Sequence, residues 1–308
     1  MPSIPFLSEA QVRALLRMDQ LIPAMQRALV DLSRGRVQQP LRVVVPIQEH
    51  HGFFGVMPAY CGALGAKLVT FYPDNVDVPT HHALVVLLRP ETGEPLVVMD
   101  GRLITEMRTA AVSAVATDML AQHDASVLAL LGSGVQARSH LEALRLVRTF
   151  REVRVWSPHG AVAFAEQFQL QAAASAEEAV RGADVVVVAT TSTQPVLFGE
   201  WLSPGAHVNA VGATRPDWRE LDNVVLDRAR IFVECEEAAM AESGDVIASA
   251  KVPVEIGNVV LGNVPGRTAS EDITLFKSVG VAVEDVVSAD MVFRAFINRP
   301  EFIAEASH

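Results

Sequence analysis

Three cationic side chains, Arg42, Lys67 and Arg108, occupy positions that a bound anion would explain. Lys67 shares one face of its predicted strand with Val69 and Phe71, because side chains alternate between the two faces of a strand. A lysine on an apolar stripe is costly unless an anion compensates it, although a lysine at a strand edge also reaches solvent. Arg42 begins a strand two before that of Lys67, so an antiparallel meander would bring these cations together.

Arg108 raises the same question on a helix. The helix is predicted to begin near Thr105, which places Arg108 in its first turn, where a cation opposes the helix dipole. An anion bound at that end would share Arg108 and the free N–H groups of the turn. The alternative is a surface salt bridge to Glu106. Three converging cations predict a substrate that bears a carboxylate.

Asp217 is the candidate for proton transfer. It follows the glycine-containing loop 211–216 at the carboxyl end of a predicted parallel strand, the edge at which open α/β sheets bind ligands. A carboxylate near a nicotinamide can exchange a proton with a substrate nitrogen. An Asp that caps the segment 218–221 explains this residue equally well, and the sequence leaves both interpretations open.

A glycine loop stands between a buried strand and a helix. Five apolar residues, 127–131, precede Gly132-Ser-Gly-Val-Gln-Ala137, and residues 140–147 then carry apolar side chains at helical spacing. This is the order of a dinucleotide site: Gly132 permits the tight turn, and Gly134 lets a pyrophosphate approach the backbone. The helix N-terminus offers its N–H groups to the phosphates. A glycine turn without a ligand is the alternative, and the context favours a nucleotide.

The loop after the second strand of this region distinguishes between the nicotinamide cofactors. Ser157-Pro158-His159 stands where an Asp or Glu would hold the ribose diol of NAD, and it contains no acid. Arg138, on the glycine-loop helix, is placed to reach a 2′-phosphate. NADP(H) is therefore favoured over NAD(H).

The elements that position these residues predict an α/β chain with two domains. An opening helical region covers 8–32, with Pro23 at the start of its second helix, and a helix over 105–120 divides the chain. Between them, β-rich runs predict an antiparallel meander at 42–46, 53–57, 67–72, 83–88 and 95–99. Beyond, strands alternate with helical segments as in a doubly wound parallel sheet, at 127–131, 153–156, 184–190, 207–211 and 230–233. A last helix over 281–296 returns to the first domain.

Composition excludes several kinds of partner. The 308 residues carry a formal net charge of −11 and no run rich in lysine or arginine, which argues against nucleic acid and acidic membranes. Cys61 and Cys235 belong to no zinc spacing, and the pairs His50-His51 and His81-His82 would point to opposite strand faces, so no metal is predicted. Without a targeting segment or a membrane-length apolar run, we expect a cytoplasmic protein.

Many stretches, in matching order, resemble the ornithine cyclodeaminase/mu-crystallin family over nearly the full chain. They include Gly55-Val-Met-Pro-Ala-Tyr60, Lys67-Leu-Val-Thr-Phe-Tyr72, Arg108-Thr-Ala-Ala-Val-Ser-Ala114, the glycine loop, Arg215-Pro-Asp-Trp-Arg-Glu-Leu221, Glu242-Ser-Gly-Asp245 and Leu275-Phe-Lys-Ser278. The resemblance implies a homodimer with two domains. Residues 1–122 and 285–308 would form an α+β substrate-binding and dimerisation domain with an antiparallel sheet, and residues 123–284 a Rossmann domain.

The resemblance also implies a role for each site residue. Arg42, Lys67 and Arg108 would bind the substrate carboxylate beside Met57, and Asp217 would be the acid/base near the substrate nitrogen, with Lys67 as the second catalytic candidate. The residues expected to bind the nicotinamide cofactor are Gly132, Ser133, Gly134, Val135, Gln136, Arg138, Ser157, His159, Thr190, Thr191, Ser192, Val211 and Gly212.

One departure separates the branches of the family. Ornithine cyclodeaminases carry a glutamate two residues before the position of Met57, suited to a distal ammonium, and here that position is Gly55. The chain therefore looks most like the mu-crystallin ketimine reductase branch, whose members reduce cyclic imines next to a carboxylate. Ornithine cyclodeamination, an alanine dehydrogenase or iminosuccinate reductase activity with Arg215 as a further cation, and a non-enzymatic binding role are the alternatives.

Overall fold

Two sheets, each in its own unit, organise the fold. A computed structural model describes residues 4–299; one unit contains residues 4–108 and 281–299 of these, and the other contains residues 109–280. The first division lies inside one continuous helix. The observed divisions lie after residues 108 and 280. The sequence predicted them slightly later, after residue 122 and before residue 285.

The first unit contains a six-stranded sheet in the order β1-β6-β5-β4-β3-β2. Its strands are β1 (Phe6–Leu7), β2 (Val43–Ile47), β3 (Gly52–Tyr60), β4 (Leu64–Phe71), β5 (His81–Leu88) and β6 (Pro95–Asp100), and its helices are α1 (Glu9–Leu15), α2 (Met18–Ser33) and α11 (Ala282–Ile297). Strands β2 to β6 pair antiparallel in chain order, so the predicted meander is confirmed, and β1 adds a parallel edge. Helix α11 packs on β3, β4 and β5 and against α2, and covers one face of the sheet.

The second unit contains eight parallel strands in the order β13-β12-β14-β11-β10-β7-β8-β9. Its strands are β7 (Val127–Leu131), β8 (Glu152–Trp156), β9 (Gln171–Ala172), β10 (Val185–Val188), β11 (His207–Ala210), β12 (Ala229–Val233), β13 (Val254–Glu255) and β14 (Ile273–Lys277). Its helices are α4 (Val135–Leu144), α5 (Ala161–Phe168), α6 (Ala176–Val180), α7 (Asn223–Arg228), α8 (Glu236–Glu242), α9 (Gly244–Ser249) and α10 (Ile256–Val260). Every residue of β7, β10 and β11 is buried, as expected where helices cover both faces. The predicted doubly wound fold is confirmed.

One central strand was not predicted from the sequence. Strand β14 (Ile-Thr-Leu-Phe-Lys) lies between β11 and β12, and all five of its residues are buried. Its threonine and lysine interrupt the apolar run that marks the other central strands. The two-residue strands β9 and β13 were also missed, because so short a segment carries no period.

The helices differ from the prediction at two points. Helix α3 (Arg102–Leu120) begins one turn earlier than expected, and Pro23 lies inside α2 rather than at its start, so that prediction was wrong. The chain breaks instead at Leu16–Arg17, where both residues are extended. A proline inside a helix costs about 3 kcal/mol, whereas each buried Leu or Met contributes about 1.5–3 kcal/mol, and Leu21, Met25 and Leu29 of α2 are all buried. Among residues 4–299, none of the helices combines the length and apolar character that a membrane crossing requires.

Candidate active site

Lys67 lies in the middle of an apolar row that crosses the first sheet. It pairs with Met57 on β3 and with Val85 on β5, and both neighbours are buried. The Lys67 side chain is only 2% exposed, and its Nζ lies 2.8 Å from Asp285 Oδ2. The solvent-reaching alternative for this lysine is therefore wrong. An internal carboxylate compensates its charge, and one ion pair leaves an ammonium two further N–H donors.

Arg108 is held by the same helix that supplies Asp285. Its Nη1 donates to Glu284 Oε2 at 2.8 Å and its Nε to Asp285 Oδ1 at 3.3 Å, and all three side chains are buried. Because α3 begins at Arg102, Arg108 lies in the second turn and not in the first, so the predicted opposition to the helix dipole was wrong. The surface salt bridge considered as its alternative is also excluded, because Arg108 is buried.

Glu284 and Asp285 are site residues that sequence reasoning missed. They lie in the first turn of α11, and the remainder of that helix buries mostly apolar residues. Acids are favoured in a first turn by the helix dipole, which is the ordinary reason to find them there. Their complete burial, the feature that makes them part of a charged site, is not visible in a one-dimensional pattern.

Burial lowers the pKa of Lys67 to about 8 from its usual value of 10.5. The neighbouring Asp285 carboxylate opposes this shift, whereas the positive charges of Arg108 and Arg42 reinforce it. Arg42 precedes the β2–β3 ladder by one residue, in line with Met57. Arg42 and Arg108 thus both lie close enough to Lys67 in the first unit to affect its charge, and the role of the three cations in substrate binding remains a prediction.

The glycine loop of the second unit has the shape that a pyrophosphate requires. Gly132 adopts φ +117°, and a Cβ there would lie 2.3 Å from the carbonyl oxygen of Ala189, so only glycine fits. A Cβ on Gly134 would meet no atom within 4 Å, and Gly134 is the N-cap of α4 with no side-chain cap. Open space in front of a helix N-terminus suits an anionic ligand.

The other residues expected to hold a cofactor lie at the same edge of the sheet. They follow β7, β8, β10 and β11, four neighbouring parallel strands whose carboxyl ends therefore lie side by side. Ser133, Val135 and Gln136 follow β7; Ser157 and His159 follow β8; Thr190, Thr191 and Ser192 follow β10; Val211 and Gly212 follow β11. The hydroxyls of Ser133 and Ser157 both donate to the carbonyl of His159, which closes the loop after β8. Arg138 lies in the first turn of α4.

Asp217 lies on the loop that follows β11. Its side chain is 72% exposed, with Oδ1 3.6 Å from Arg215 Nε, and the Arg215 guanidinium lies 5.4 Å from the centre of the Trp218 ring. Residues 218–221 form no helix, so the interpretation of Asp217 as a helix cap was wrong. The next helix, α7, is capped by Asp222 instead. Asp217 caps no helix and is accessible on the loop that follows the carboxyl end of β11.

The histidine pairs take part in other contacts. His51 Nδ1 lies 2.7 Å from Asp74 Oδ2 at the surface, and the His81 ring lies 4.4 Å from the ring of Phe71. Within residues 4–299, no group of three or more His, Cys, Asp and Glu side chains is arranged to hold a metal ion.

These features define an α/β protein with a glycine loop at the carboxyl edge of a parallel sheet in one unit and a buried group of paired charges in the other. Residues 4–298 match the sequence profile of the ornithine cyclodeaminase/mu-crystallin family. The chain belongs to this family, as its sequence motifs predicted.

Three relatives show what this chain is similar to. The ketimine reductase mu-crystallin of Mus musculus is 48% identical over 302 residues, which cover 94% of this chain and 96% of the relative. The Δ1-pyrroline-2-carboxylate reductase of Thermococcus litoralis, solved with NADH and L-proline, superposes with a TM-score of 0.92 at 34% identity, covering 96% of this chain and 98% of that one. An archaeal alanine dehydrogenase dimer with bound NAD has a TM-score of 0.91 at 35% identity, covering 96% of both chains. The relatives named for imine reduction agree with the activity predicted from the sequence.

Proposed function

We propose that this protein is an NAD(P)H-dependent reductase of cyclic imines that carry a carboxylate next to the C=N carbon. Δ1-Pyrroline-2-carboxylate and Δ1-piperideine-2-carboxylate are the proposed substrates, and the cyclic L-amino acids are the products. The relatives named as ketimine and pyrroline-carboxylate reductases support this reaction, and two of the solved relatives hold NADH or NAD.

The observation that carries the proposal is the setting of Lys67. Its ammonium and the Arg108 guanidinium are both held by Asp285, while apolar Met57 and Val85 flank Lys67 on the neighbouring strands. A fixed pair of cations suits a carboxylate. Apolar neighbours suit a hydrocarbon ring, because a second charge buried there would be left without a partner.

Each residue then has a task in the reaction. Arg42, Lys67 and Arg108 bind the carboxylate and so orient the C=N bond, with Met57 against the ring. A reduced nicotinamide cofactor, when bound, would supply the hydride for the imine carbon. Asp217, or a water that it orients, delivers the proton that the nitrogen gains, which completes the amine.

The glycine loop and the loop after β8 would hold the cofactor. Gly134 leaves room for the pyrophosphate in front of α4, and the Ser157–His159 loop contains no carboxylate to bind the ribose diol or repel a 2′-phosphate. We therefore propose NADP(H) as the preferred cofactor, with Arg138 as the cation for its phosphate.

Ornithine cyclodeamination is disfavoured by the surroundings of Gly55. A Cβ added at Gly55 would lie 3.0 Å from Cγ1 of Val69, the residue paired with it on β4. A side chain at this position would therefore require Val69 to shift, and glycine itself offers no carboxylate to bind a distal ammonium. Likewise Arg215, the cation considered for a second carboxylate, is already engaged with Asp217 and Trp218.

We also propose that the protein is a homodimer that associates through the first sheet. Val43, Val45 and Leu84 are exposed, and the pairing register places them on the face opposite Lys67. An exposed apolar sheet face is typical of an interaction surface, and the archaeal relative is a dimer. Sedimentation equilibrium of the wild type and of Leu84→Glu tests this; a wild-type monomer would refute it.

Steady-state turnover tests the function directly. We expect fast oxidation of NADPH, and slower oxidation of NADH, with either cyclic ketimine, and no release of ammonia from L-ornithine with the oxidised cofactors. Ammonia and proline from ornithine, without ketimine turnover, would identify a cyclodeaminase. Cofactor binding without turnover of any of these substrates would support a purely binding role.

A further inference from the structure

Glu220 is a fully buried carboxylate three residues beyond Asp217, and it binds two separate loops. Its Oε1 accepts from the backbone N–H of Thr190 at 2.9 Å and from the Thr190 hydroxyl at 2.6 Å. Its Oε2 accepts from the backbone N–H groups of Gly212 at 2.7 Å and Ala213 at 3.0 Å. One side chain therefore joins the loop after β10 to the loop after β11.

The first of these contacts extends along its loop. The Thr190 Oγ1 that donates to Glu220 also accepts from the backbone N–H of Ser192 at 3.1 Å. On the other loop, a Cβ at Gly212 would lie 2.2 Å from the Thr190 carbonyl oxygen and 2.3 Å from Glu220 Oε1. The loops approach so closely that only a glycine fits between them.

The backbone at Glu220 is in turn fixed by a second buried carboxylate. Asp245, also fully buried, accepts from the backbone N–H groups of Glu220 and Leu221 at 3.2 Å. The Lys277 ammonium at the end of β14 lies 3.5 Å from Asp245 Oδ2 and 4.0 Å from Glu220 Oε2. Gly244 permits the close contact of α9 with the Asp217 loop, because a Cβ there would lie 2.3 Å from the Trp218 carbonyl oxygen.

We propose that Glu220 is a positioning residue that fixes the loops after β10 and β11 and the Asp217 loop in one arrangement. Thr190, Ser192 and Gly212 are residues proposed to bind the nicotinamide cofactor, and Asp217 is the proposed proton donor. The inference therefore rests on the proposed function. In this proposal Glu220 touches neither cofactor nor substrate. It sets the distance between the loops proposed to bind the cofactor and the proposed proton donor, Asp217.

Glu220→Gln tests the inference with almost no change of volume. An amide has one acceptor oxygen, and its NH2 group would face N–H donors on one of the two loops. We expect the dissociation constants of NADH and NADPH, measured by calorimetry without substrate, to rise tenfold or more. We also expect kcat with Δ1-pyrroline-2-carboxylate to fall at least tenfold, with a smaller change in its KM.

Asp184→Asn is the matched control. Asp184 lies at the opposite end of β10, where its carboxylate accepts from the backbone N–H groups of Ser126 and Val127 at 2.7 and 2.9 Å. Both variants should lower the thermal midpoint, but Asp184→Asn should leave cofactor affinity and kcat unchanged. Equal losses of affinity in both variants would reduce Glu220 to a general stabilising role and overturn the inference.

Thr190→Val keeps the test decisive if Glu220→Gln does not fold. It removes the hydroxyl that links Glu220 to Ser192, whose single proton already goes to Glu220 and so is not donated to a cofactor. Cofactor affinity should therefore fall several-fold, and unchanged affinity would overturn the inference. Where both variants fold, their effects should be less than additive in the double variant, since they act through one contact. Wild-type protein that binds neither NADH nor NADPH would instead refute the proposed function on which the inference rests.

Discussion

Each unit gathers two cations around two fully buried carboxylates, yet the two groups are bonded in different ways. The group in the first unit is Lys67, Arg108, Glu284 and Asp285; the group in the second unit is Lys277, Arg219, Glu220 and Asp245. In the first, the ion pairs between carboxylate and cation are 2.8–3.3 Å long. In the second, the ion pairs are 3.5–4.0 Å long, and the carboxylate oxygens are occupied by backbone N–H groups instead.

This difference separates two uses of a buried carboxylate. A carboxylate bonded to backbone N–H groups fixes the course of the chain, so the second group holds loops. A carboxylate bonded to ammonium and guanidinium groups fixes those cations, so the first group mainly positions cations, although Glu284 also accepts from the backbone N–H of Val281 at 3.3 Å. We therefore expect substitutions in the first group to damage substrate binding, and those in the second to damage cofactor binding and loop geometry.

Lys67→Met should give the largest effect. It removes a cation proposed to bind the substrate and leaves Asp285 buried with less compensation, and breaking a buried pair costs about 3–5 kcal/mol. We expect kcat/KM for Δ1-pyrroline-2-carboxylate to fall roughly a thousandfold, equivalent to about 4 kcal/mol, together with a clear loss of thermal stability. Steady-state kinetics and a thermal unfolding curve measure both.

The double variant Lys67→Met/Asp285→Asn separates binding from stability. Without the Asp285 charge, no uncompensated ion remains beside the methionine, so much of the lost stability should return. Substrate binding should not return, because the Lys67 ammonium proposed to bind the carboxylate is still missing. Recovery of kcat/KM in the double variant would show that Lys67 serves only to neutralise Asp285, and the contrast between the two groups would fail.

Asp217→Asn should give the next largest effect, and on catalysis alone. Proton transfer by a positioned side chain contributes about 10²–10⁴-fold, and we expect the lower end, a roughly hundredfold fall in kcat, because the exposed site admits water. The thermal midpoint should stay unchanged, since Asp217 is exposed and caps no helix. Full activity across the pH range with unchanged substrate affinity would exclude the proposed role.

The local motifs were predictable, and the long-range partners were not. The glycine loop depends on neighbours a few residues apart, so the tight turn at Gly132 was predicted correctly from the sequence alone, and the pyrophosphate contact at Gly134 stays a prediction. Arg108 pairs with Asp285, 177 residues away along the chain, and no periodic pattern spans that distance. The sequence therefore indicated that Lys67 needed an anion but could not identify Asp285, which lies 2.8 Å from it.

The same limit explains the missed elements. Lys277 ends β14 and Glu220 follows the Asp217 loop, and each looks like an ordinary surface charge until the fold buries both beside Asp245. Pro23 was misplaced because the packing of α2, not its propensity, decides where that helix begins. The family motifs compensate in part, since the Glu242–Asp245 and Leu275–Ser278 stretches, which contain Asp245 and Lys277, match the family in sequence.

The smallest expected effect is a pH dependence that comes from Lys67. With a folded-state pKa of about 8, Lys67 loses its charge as the pH rises through that value, so affinity for a carboxylate should fall, approaching tenfold per pH unit above it. Calorimetry with cyclopentanecarboxylate, which does not titrate in this range, measures the change. Lys67→Arg stays charged, and its affinity should be flat with pH; a wild-type profile equally flat would contradict the prediction.

Stability should change with pH in the opposite direction. The folded chain releases the Lys67 proton near pH 8 and the unfolded chain near 10.5, so between these values the unfolded state binds more protons. The free energy of unfolding of the wild type should therefore gain a favourable contribution as the pH rises from about 8 to 10.5, and this contribution is lost as the pH falls through 8. Denaturant titrations of wild type and Lys67→Arg isolate it from the other groups that titrate there. If stability and carboxylate affinity both fell as the pH rose, a group other than Lys67 would be titrating. Lys67 would then stay charged throughout this pH range.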